Sequence, residues 1–176
     1  TGSIELQKTR VEREGVSARR RLGLATVPEE RNGHAAVPAL SLTENAILSA
    51  RARKGLSRRG MLRLKAARDY ATSVISAFSV KATGEAASAG SLSGGNLQKF
   101  IMGREIGQEP SVLVVSQPTW GVDAGAAGFI RQAMIDLAAR GAAIVVVSQD
   151  LDELLELCDR IAVLNEGRLS ETMSVK

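Results

Sequence analysis

The run Val112-Leu113-Val114-Val115, answered downstream by Ala143-Ile144-Val145-Val146-Val147, decides the fold of this 176-residue chain. Continuous apolar runs of this length mark strands of a parallel sheet covered on both faces. Between them, Phe129, Ile130, Ala133, Met134, Leu137 and Ala138 recur at helical spacing across 125–140, with Gly141 as a stop. Downstream of these strands, a short helix is expected around Leu151–Leu157. A third strand, Ile161-Ala162-Val163-Leu164, and a turn at Asn165-Glu166-Gly167 toward Arg168-Leu169 follow. Alternating strand and helix imply a parallel sheet with right-handed crossovers. Upstream, Leu22-Gly23-Leu24-Ala25-Thr26-Val27-Pro28 reads as another short buried strand, stopped by proline. Ile4 to Leu6 and Val11 carry the weaker pattern of an edge hairpin.

The middle of the chain is helical. Ser41-Leu42-Thr43-Glu44-Asn45 opens a helix, with Ser41 or Thr43 as cap and Glu44 favourable in the first turn. Residues 51–60 are rich in Arg and Gly and read as a loop or frayed helix. Met61, Leu62, Ala66, Tyr70, Val74, Ile75 and Phe78 give helical spacing over 61–79. Residues 81–91 are small and Gly-rich, hence a loop, and a helix follows Gly95 from about Asn96 to Gly107. The expected architecture is α/β, with a mostly parallel sheet and an inserted helical lobe. Its divisions are 1–40, 41–107 and 108–176.

Composition narrows the function. Hydrophobic residues at 44% and charged residues at 24% exclude disorder, collagen and coiled coil. No stretch approaches the roughly 18–20 apolar residues of a membrane-spanning helix. The first residues, Thr1-Gly2-Ser3-Ile4, carry neither a signal peptide nor an initiator Met, so the sequence reads as a cut chain. The single Cys158 excludes an intramolecular disulfide, and the single His34 argues against a His-based zinc enzyme or a Ser-His-Asp hydrolase. Residues 1–70 hold 15 Lys/Arg against 7 Asp/Glu, and residues 71–176 hold 8 against 12. A basic half suggests phosphates or nucleic acid. Aromatics at 3% leave almost no stacking platforms, so no nucleic-acid partner is expected.

Ser91-Leu92-Ser93-Gly94-Gly95-Asn96-Leu97-Gln98-Lys99 is a Gly-rich turn leading into a helix. Paired glycines let a backbone approach a ligand, and a helix start presents free N–H groups, an arrangement suited to phosphate. A plain Ser N-cap with loop glycines explains the same letters.

Context gives this turn its meaning. The segment resembles the signature of ABC-transporter ATPases. Val112–Val115, Ser116-Gln117-Pro118-Thr119 and Trp120-Gly121-Val122-Asp123 resemble that family's Walker B strand and D-loop. Val145-Val146-Val147-Ser148-Gln149-Asp150 is similar to its switch-histidine region, and Cys158 to Arg168 to its closing strands. Val27-Pro28-Glu29-Glu30-Arg31 followed by Ser41–Asn45 is similar to the Q-loop and the start of the helical lobe in the second cassette of sugar- and nucleoside-importing members. The order and spacing match over residues 2–170.

The departures inform as much as the matches. No Gly-x-x-x-x-Gly-Lys-Ser/Thr phosphate loop occurs in residues 1–176. Thr1-Gly2-Ser3-Ile4 resembles the segment just after that loop's helix. The expectation is therefore a P-loop NTPase-like cassette core whose N-terminal part is missing, and which alone does not bind ATP in the usual way. Core surface left uncovered by that loss is expected as an apolar patch. At the usual Walker B Asp position stands Ser116, which supplies no carboxylate to magnesium. At the usual Glu position stands Gln117, a very poor proton acceptor. Gln149 holds the switch-His position, and Glu29 falls near the Q-loop glutamine position.

The resemblance implies that Ser93, Gly94, Gly95 and Gln98 serve a nucleotide in trans, on a partner cassette in the same polypeptide, and that Asp123 belongs to the D-loop. It further implies ATP and Mg2+ as cofactors of the complete cassette dimer, integral membrane permease subunits as partners, and indirectly a solute-binding protein. The location would be peripheral, at the cytoplasmic face of the membrane. The implied function is the ATP-binding subunit of an importer for a nucleoside or simple sugar, with its own site degenerate. The alternative is a non-hydrolytic cassette that only stabilises the dimer. The complete protein is expected to hydrolyse ATP, and the isolated piece to be inactive.

Other residues carry two readings. Asp123 caps or bridges across the cassette interface, or forms an ordinary Asx turn. Trp120 packs at an interface or is a surface aromatic. Asp150, Asp152, Glu153 and Glu156 read as a solvated acidic helix face rather than metal ligands, and Arg19-Arg20-Arg21 as a solvated basic one or a contact with lipid headgroups or a neighbouring subunit. His34 reads as a surface residue and Cys158 as a small core residue. Arg51, Arg53, Lys54, Arg58 and Arg59 either contact membrane subunits or form a soluble face.

Overall fold

A computed structural model of the chain describes residues 2–175. Thr1, part of the stretch compared with the post-loop segment, lies outside them. The centre is a three-stranded parallel sheet in the order β3 (Leu24–Val27), β6 (Val112–Ser116), β7 (Ala143–Val147). Leu24 pairs with Val112, and Val112 with Ala143, so the three strands run in register from a common end. Between β6 and β7 runs α5 (Ala124–Ala139), which buries Ala126, Ile130, Met134 and Leu137. Gly141, at φ +93, takes the chain off this helix in a conformation that side chains with a Cβ resist.

The segment between β3 and β6 is mostly helical: α2 (Leu42–Ala50), α3 (Leu64–Ala77) and α4 (Gly94–Ile106). Ser41 caps α2 in a full capping box, its hydroxyl accepting from the Glu44 N–H while the Glu44 carboxylate accepts from the Ser41 N–H. From α4, Phe100, Ile101 and Met102 are fully buried and join Leu42, Leu113, Val115 and Ile130 in one core. That cluster ties the helices to the sheet. α3 and α4 approach closely at Gly103, where an added Cβ would stand 2.6 Å from the Phe78 ring.

A buried ionic cluster joins the first segment to α4. The preceding helix α1 (Val16–Arg21) sends Arg20 to the carboxylate of Glu105 at 2.9 Å, and Arg104 grips the other carboxylate oxygen at 2.9 Å. Arg104 also donates to the carbonyls of Asn45 and Ala35, and Tyr70 donates to the carbonyl of Arg104. Burial alone would raise the Glu105 carboxyl. The guanidiniums of Arg104 and Arg20 outweigh it and hold the group below the usual carboxylate range.

Several expectations are corrected. Residues 57–62 form a hairpin, β4 (Ser57–Arg58) and β5 (Met61–Leu62), because Arg59 and Gly60 both take positive φ in a two-residue turn. The next helix therefore begins at Leu64, leaving Met61 and Leu62 exposed outside it. α4 starts at Gly94, two residues earlier than the sequence suggests. The expected third parallel strand is absent from the sheet. Instead β8 (Arg160–Ile161) pairs antiparallel with β11 (Met173–Ser174), and β9 (Leu164–Asn165) forms a hairpin with β10 (Arg168–Leu169) across the Glu166-Gly167 turn. Nor is β7 covered on both faces. It is a sheet edge whose Val145 and Val147 are 51% and 54% exposed, because α5 packs against only one side. Arg19-Arg20-Arg21 is not a free basic face: Arg20 holds Glu105, and Arg19 donates to the carbonyls of Val11, Glu12 and Glu14. The early hairpin appears as β1 (Glu5–Leu6) and β2 (Thr9–Arg10).

Candidate nucleotide site

Ser93 sits at the N-cap position of α4 in extended backbone, yet its hydroxyl caps no backbone N–H. It accepts instead from the Asn96 amide at 2.9 Å. The N–H groups of Gly94 and Gly95 have no protein acceptor among the described residues, as expected for the first turn of a helix. Ser93 and Gly94 are exposed and Gly95 half-buried. The turn therefore presents a hydroxyl and the positive end of a 13-residue helix to solvent. This donor set fits a phosphate.

Two neighbours frame the turn. A Cβ at Gly95 would lie 3.4 Å from the Asp123 carboxylate, and a Cβ at Gly94 would lie 3.1 Å from the Arg31 guanidinium. Asp123 caps α5 by accepting from the Ala126 N–H at 2.9 Å, which holds its carboxyl below the usual range. Within this chain Asp123 is thus the N-cap of α5. Arg31 donates to the carbonyl of Trp120 and comes within 3.5 Å of the Cβ position of Gly121. Arg31 thus pins the loop after β3 to the loop after β6, beside the glycines. The sequence alone assigns Arg31 no role. Its partner is a backbone carbonyl, which leaves no mark in the letters. Trp120 itself is 69% exposed.

Gln98 faces the other way. It is 1% exposed, donates to the carbonyl of Pro118 at 2.8 Å, and leaves its amide oxygen buried without a partner. As placed, it braces α4 against the loop after β6.

The end of β6 holds the remaining candidates. Ser116 lines a cleft of about 300 Å³ together with Thr26, Pro28, His34 and Val114, beside the carboxyl ends of β3 and β6. That is where ligands gather in open α/β sheets. Gln117 is buried, at φ +49, with its N–H on the carbonyl of Val147. Its side-chain oxygen lies 3.5 Å from the Ser148 hydroxyl. Gln149 and Glu29 are exposed, and no hydrogen bond ties either of them to Gln117 or Ser116 among the described residues.

Glu153 also departs from its sequence expectation. It is 3% exposed, not part of a solvated face. Its carboxylate accepts from Thr119 at 2.5 Å and from Ser148 at 2.7 Å. It lies on α6 (Leu151–Leu157), whose N-cap Asp150 accepts from the Glu153 N–H. One buried carboxylate therefore joins the segment after β6, the segment after β7 and α6. The other acids of this set are exposed, His34 is exposed and paired with Glu30, and Cys158 is only half-buried. No three His, Cys, Asp or Glu side chains converge as a metal site among the described residues. The donors at the end of β6 offer a magnesium ion no free carboxylate. Ser116 and Gln117 are neutral, and the nearby carboxylate of Glu153 is already engaged by two hydroxyls.

No family model matches the chain. Over 174 residues it is 36% identical to the nucleoside import ATP-binding protein NupA of Lactococcus lactis, covering 99% of this chain and 34% of that protein. Over 169 residues it is 37% identical to the ribose import ATP-binding protein RbsA 1 of Streptomyces avermitilis, covering 96% of this chain and 32% of that one. The chain thus spans about a third of the length of these relatives. Its fold matches the ATP-binding cassette MJ0796, solved as a dimer in a post-hydrolysis state bound to ADP and phosphate. The TM-score is 0.80 at 19% identity, over 100% of this chain and 74% of that one.

Proposed function

The chain belongs to the ABC transporter ATP-binding proteins of the sugar- and nucleoside-import type, and on that footing we propose that it lends its signature turn to an ATP held by a partner cassette. The observation that carries this reading is the start of α4. Ser93 and the unpaired N–H groups of Gly94 and Gly95 face solvent beside Asp123 and the Arg31 guanidinium. Such donors stabilise the charge of a terminal phosphate brought to them. The partner cassette lies in the same polypeptide. It supplies the phosphate loop, an acidic strand end, and through them the hold on ATP and Mg2+.

The chain's own strand end is degenerate. Ser116 brings no charge to a metal, and the neutral amide of Gln117 positions a water without accepting its proton at pH 7. The exposed Gln149 replaces a group that would sense the terminal phosphate. The whole protein works at the cytoplasmic face of the membrane, bound to integral permease subunits and served by a solute-binding protein. Its cargo is a nucleoside or simple sugar.

The test is substitution of Ser93 and Gly94 in the complete protein, with ATP turnover as the readout. A large loss is expected, and near-normal turnover overturns the reading. A second reading, a non-hydrolytic cassette that only stabilises the dimer, draws on the neutral set Ser116, Gln117 and Gln149. Mutating each signature of the complete protein in turn separates the two. Under that second reading, turnover survives loss of this one. Replacing Gln117→Glu alone is expected to change the rate little, because Ser116 and Gln149 remain.

A further inference from the structure

We propose that the β4–β5 hairpin and the first turn of α3 form a seat for an anionic lipid surface. Residues 51–68 contain eight Lys/Arg and no Asp/Glu. None of the eight enters an ion pair among the described residues. Three are engaged otherwise: Arg53 donates to the carbonyl of Glu109, Arg63 to that of Gly55, and Lys54 lies 5.8 Å from the centre of the Tyr70 ring. Arg51, Arg58, Arg59, Lys65 and Arg68 are exposed, with no acidic partner among the described residues.

Charge alone would describe any polyanion site. The second strand of the hairpin and the helix start after it add exposed apolar side chains, with Met61 74%, Leu62 49% and Leu64 54% exposed. The Arg59-Gly60 turn places Arg58 opposite Met61 and Ser57 opposite Leu62, so charge and hydrocarbon alternate within one small projection. That projection is anchored. Leu56 is 1% exposed in a small core with Ala50 and Ala67, and it is hydrogen-bonded to Arg51 and Arg63 through the backbone. The exposed leucine and methionine are therefore presented by a fixed base.

This combination matches the boundary of a bilayer. Apolar side chains enter the headgroup region, while arginine and lysine stems lie along it with their charges at the phosphates. A nucleic-acid partner would call for stacking aromatics. The aromatic residue nearest the patch, Tyr70, is half-buried with its hydroxyl on the Arg104 carbonyl. The inference stands apart from the import reading, and its test uses neither nucleotide nor transporter subunits.

The experiment is flotation of the protein with phosphatidylcholine vesicles, with and without phosphatidylglycerol, over a range of salt. Binding is expected only with phosphatidylglycerol and is expected to weaken as salt rises. The pair Arg58→Glu and Arg59→Glu should weaken it about tenfold or more. The pair Met61→Ser and Leu62→Ser should weaken it several-fold. Both pairs lie on exposed positions, so thermal melting should be unchanged. Flotation with neutral vesicles alone, no flotation, or flotation unmoved by the charge reversals overturns the proposal. So does equal capture on heparin or duplex RNA with no effect of the Met61 and Leu62 changes, which marks a general polyanion surface.

Discussion

Glu153 shows what a single buried carboxylate does. Its two hydroxyl partners, Thr119 and Ser148, lie on separate segments, so its loss leaves both without that acceptor. Glu153→Leu should destabilise the chain by about 1–3 kcal/mol, measured by urea unfolding. Glu105 makes a pH-dependent case. Its folded-state carboxyl titrates below the 4.5 of an unperturbed glutamate. The stability it contributes is complete above that value and is lost as pH falls through the folded pKa. Glu105→Gln should therefore flatten the acid limb of a stability-against-pH curve. At neutral pH it should cost about 3–5 kcal/mol, because Arg20 and Arg104 lose their buried counter-charge. Neither role is legible in the sequence. Glu153 stands among Asp150, Asp152 and Glu156, and the letters do not say which member of an acidic run turns inward. Ser93, Gly94 and Gly95 are legible because glycine spacing before a helix has a local physical meaning. Arg31 is not, because its carbonyl partner lies in a segment 89 residues away.

At the scale of elements, local signals carry far. The cap of α2 falls on Ser41, one of two candidates, and the Gly141 stop and the apolar runs of β6 and β7 stand where their letters place them. The β4–β5 hairpin escapes a reading of the letters because Arg59, a residue without strong turn preference, adopts positive φ beside Gly60. Strand β8 leaves the parallel sheet for a partner, β11, that is a two-residue segment with no apolar pattern of its own. Helix packing yields a further prediction. Gly103 lies under Phe78 and Val74, and atoms of both stand within 3 Å of where an alanine methyl would sit. Gly103→Ala should cost about 1–3 kcal/mol by overpacking, and combination with Phe78→Leu should recover part of it. Thermal melting of the single and double variants checks this.

At the scale of the whole molecule, burial is uneven. One side of the sheet is packed by α5 and α4, while Val145 and Val147 on the edge strand stand open, as do Leu151 and Leu155 of α6. Apolar surface of that kind binds hydrophobic dyes and other proteins. The chain should bind ANS in its folded state, and Val145→Thr with Val147→Thr should reduce the fluorescence without lowering the melting temperature by much. Exposed apolar side chains therefore stand along the sheet edge. The even covering inferred from continuous apolar runs is not present there, because such runs report what a strand can bury and not what covers it.

The ionic knot around Glu105 also sets a kinetic scale. It fastens the helix before β3, the loop at Ala35, the middle of α2 and the second half of α4 to one another. No one of these can fray alone without stranding a charge, so they should exchange their amide hydrogens together, as one slow unit. The tip at β4–β5, held by the separate small core around Leu56, should exchange earlier and independently. The chain would then have two clocks, one for the knot and one for the tip.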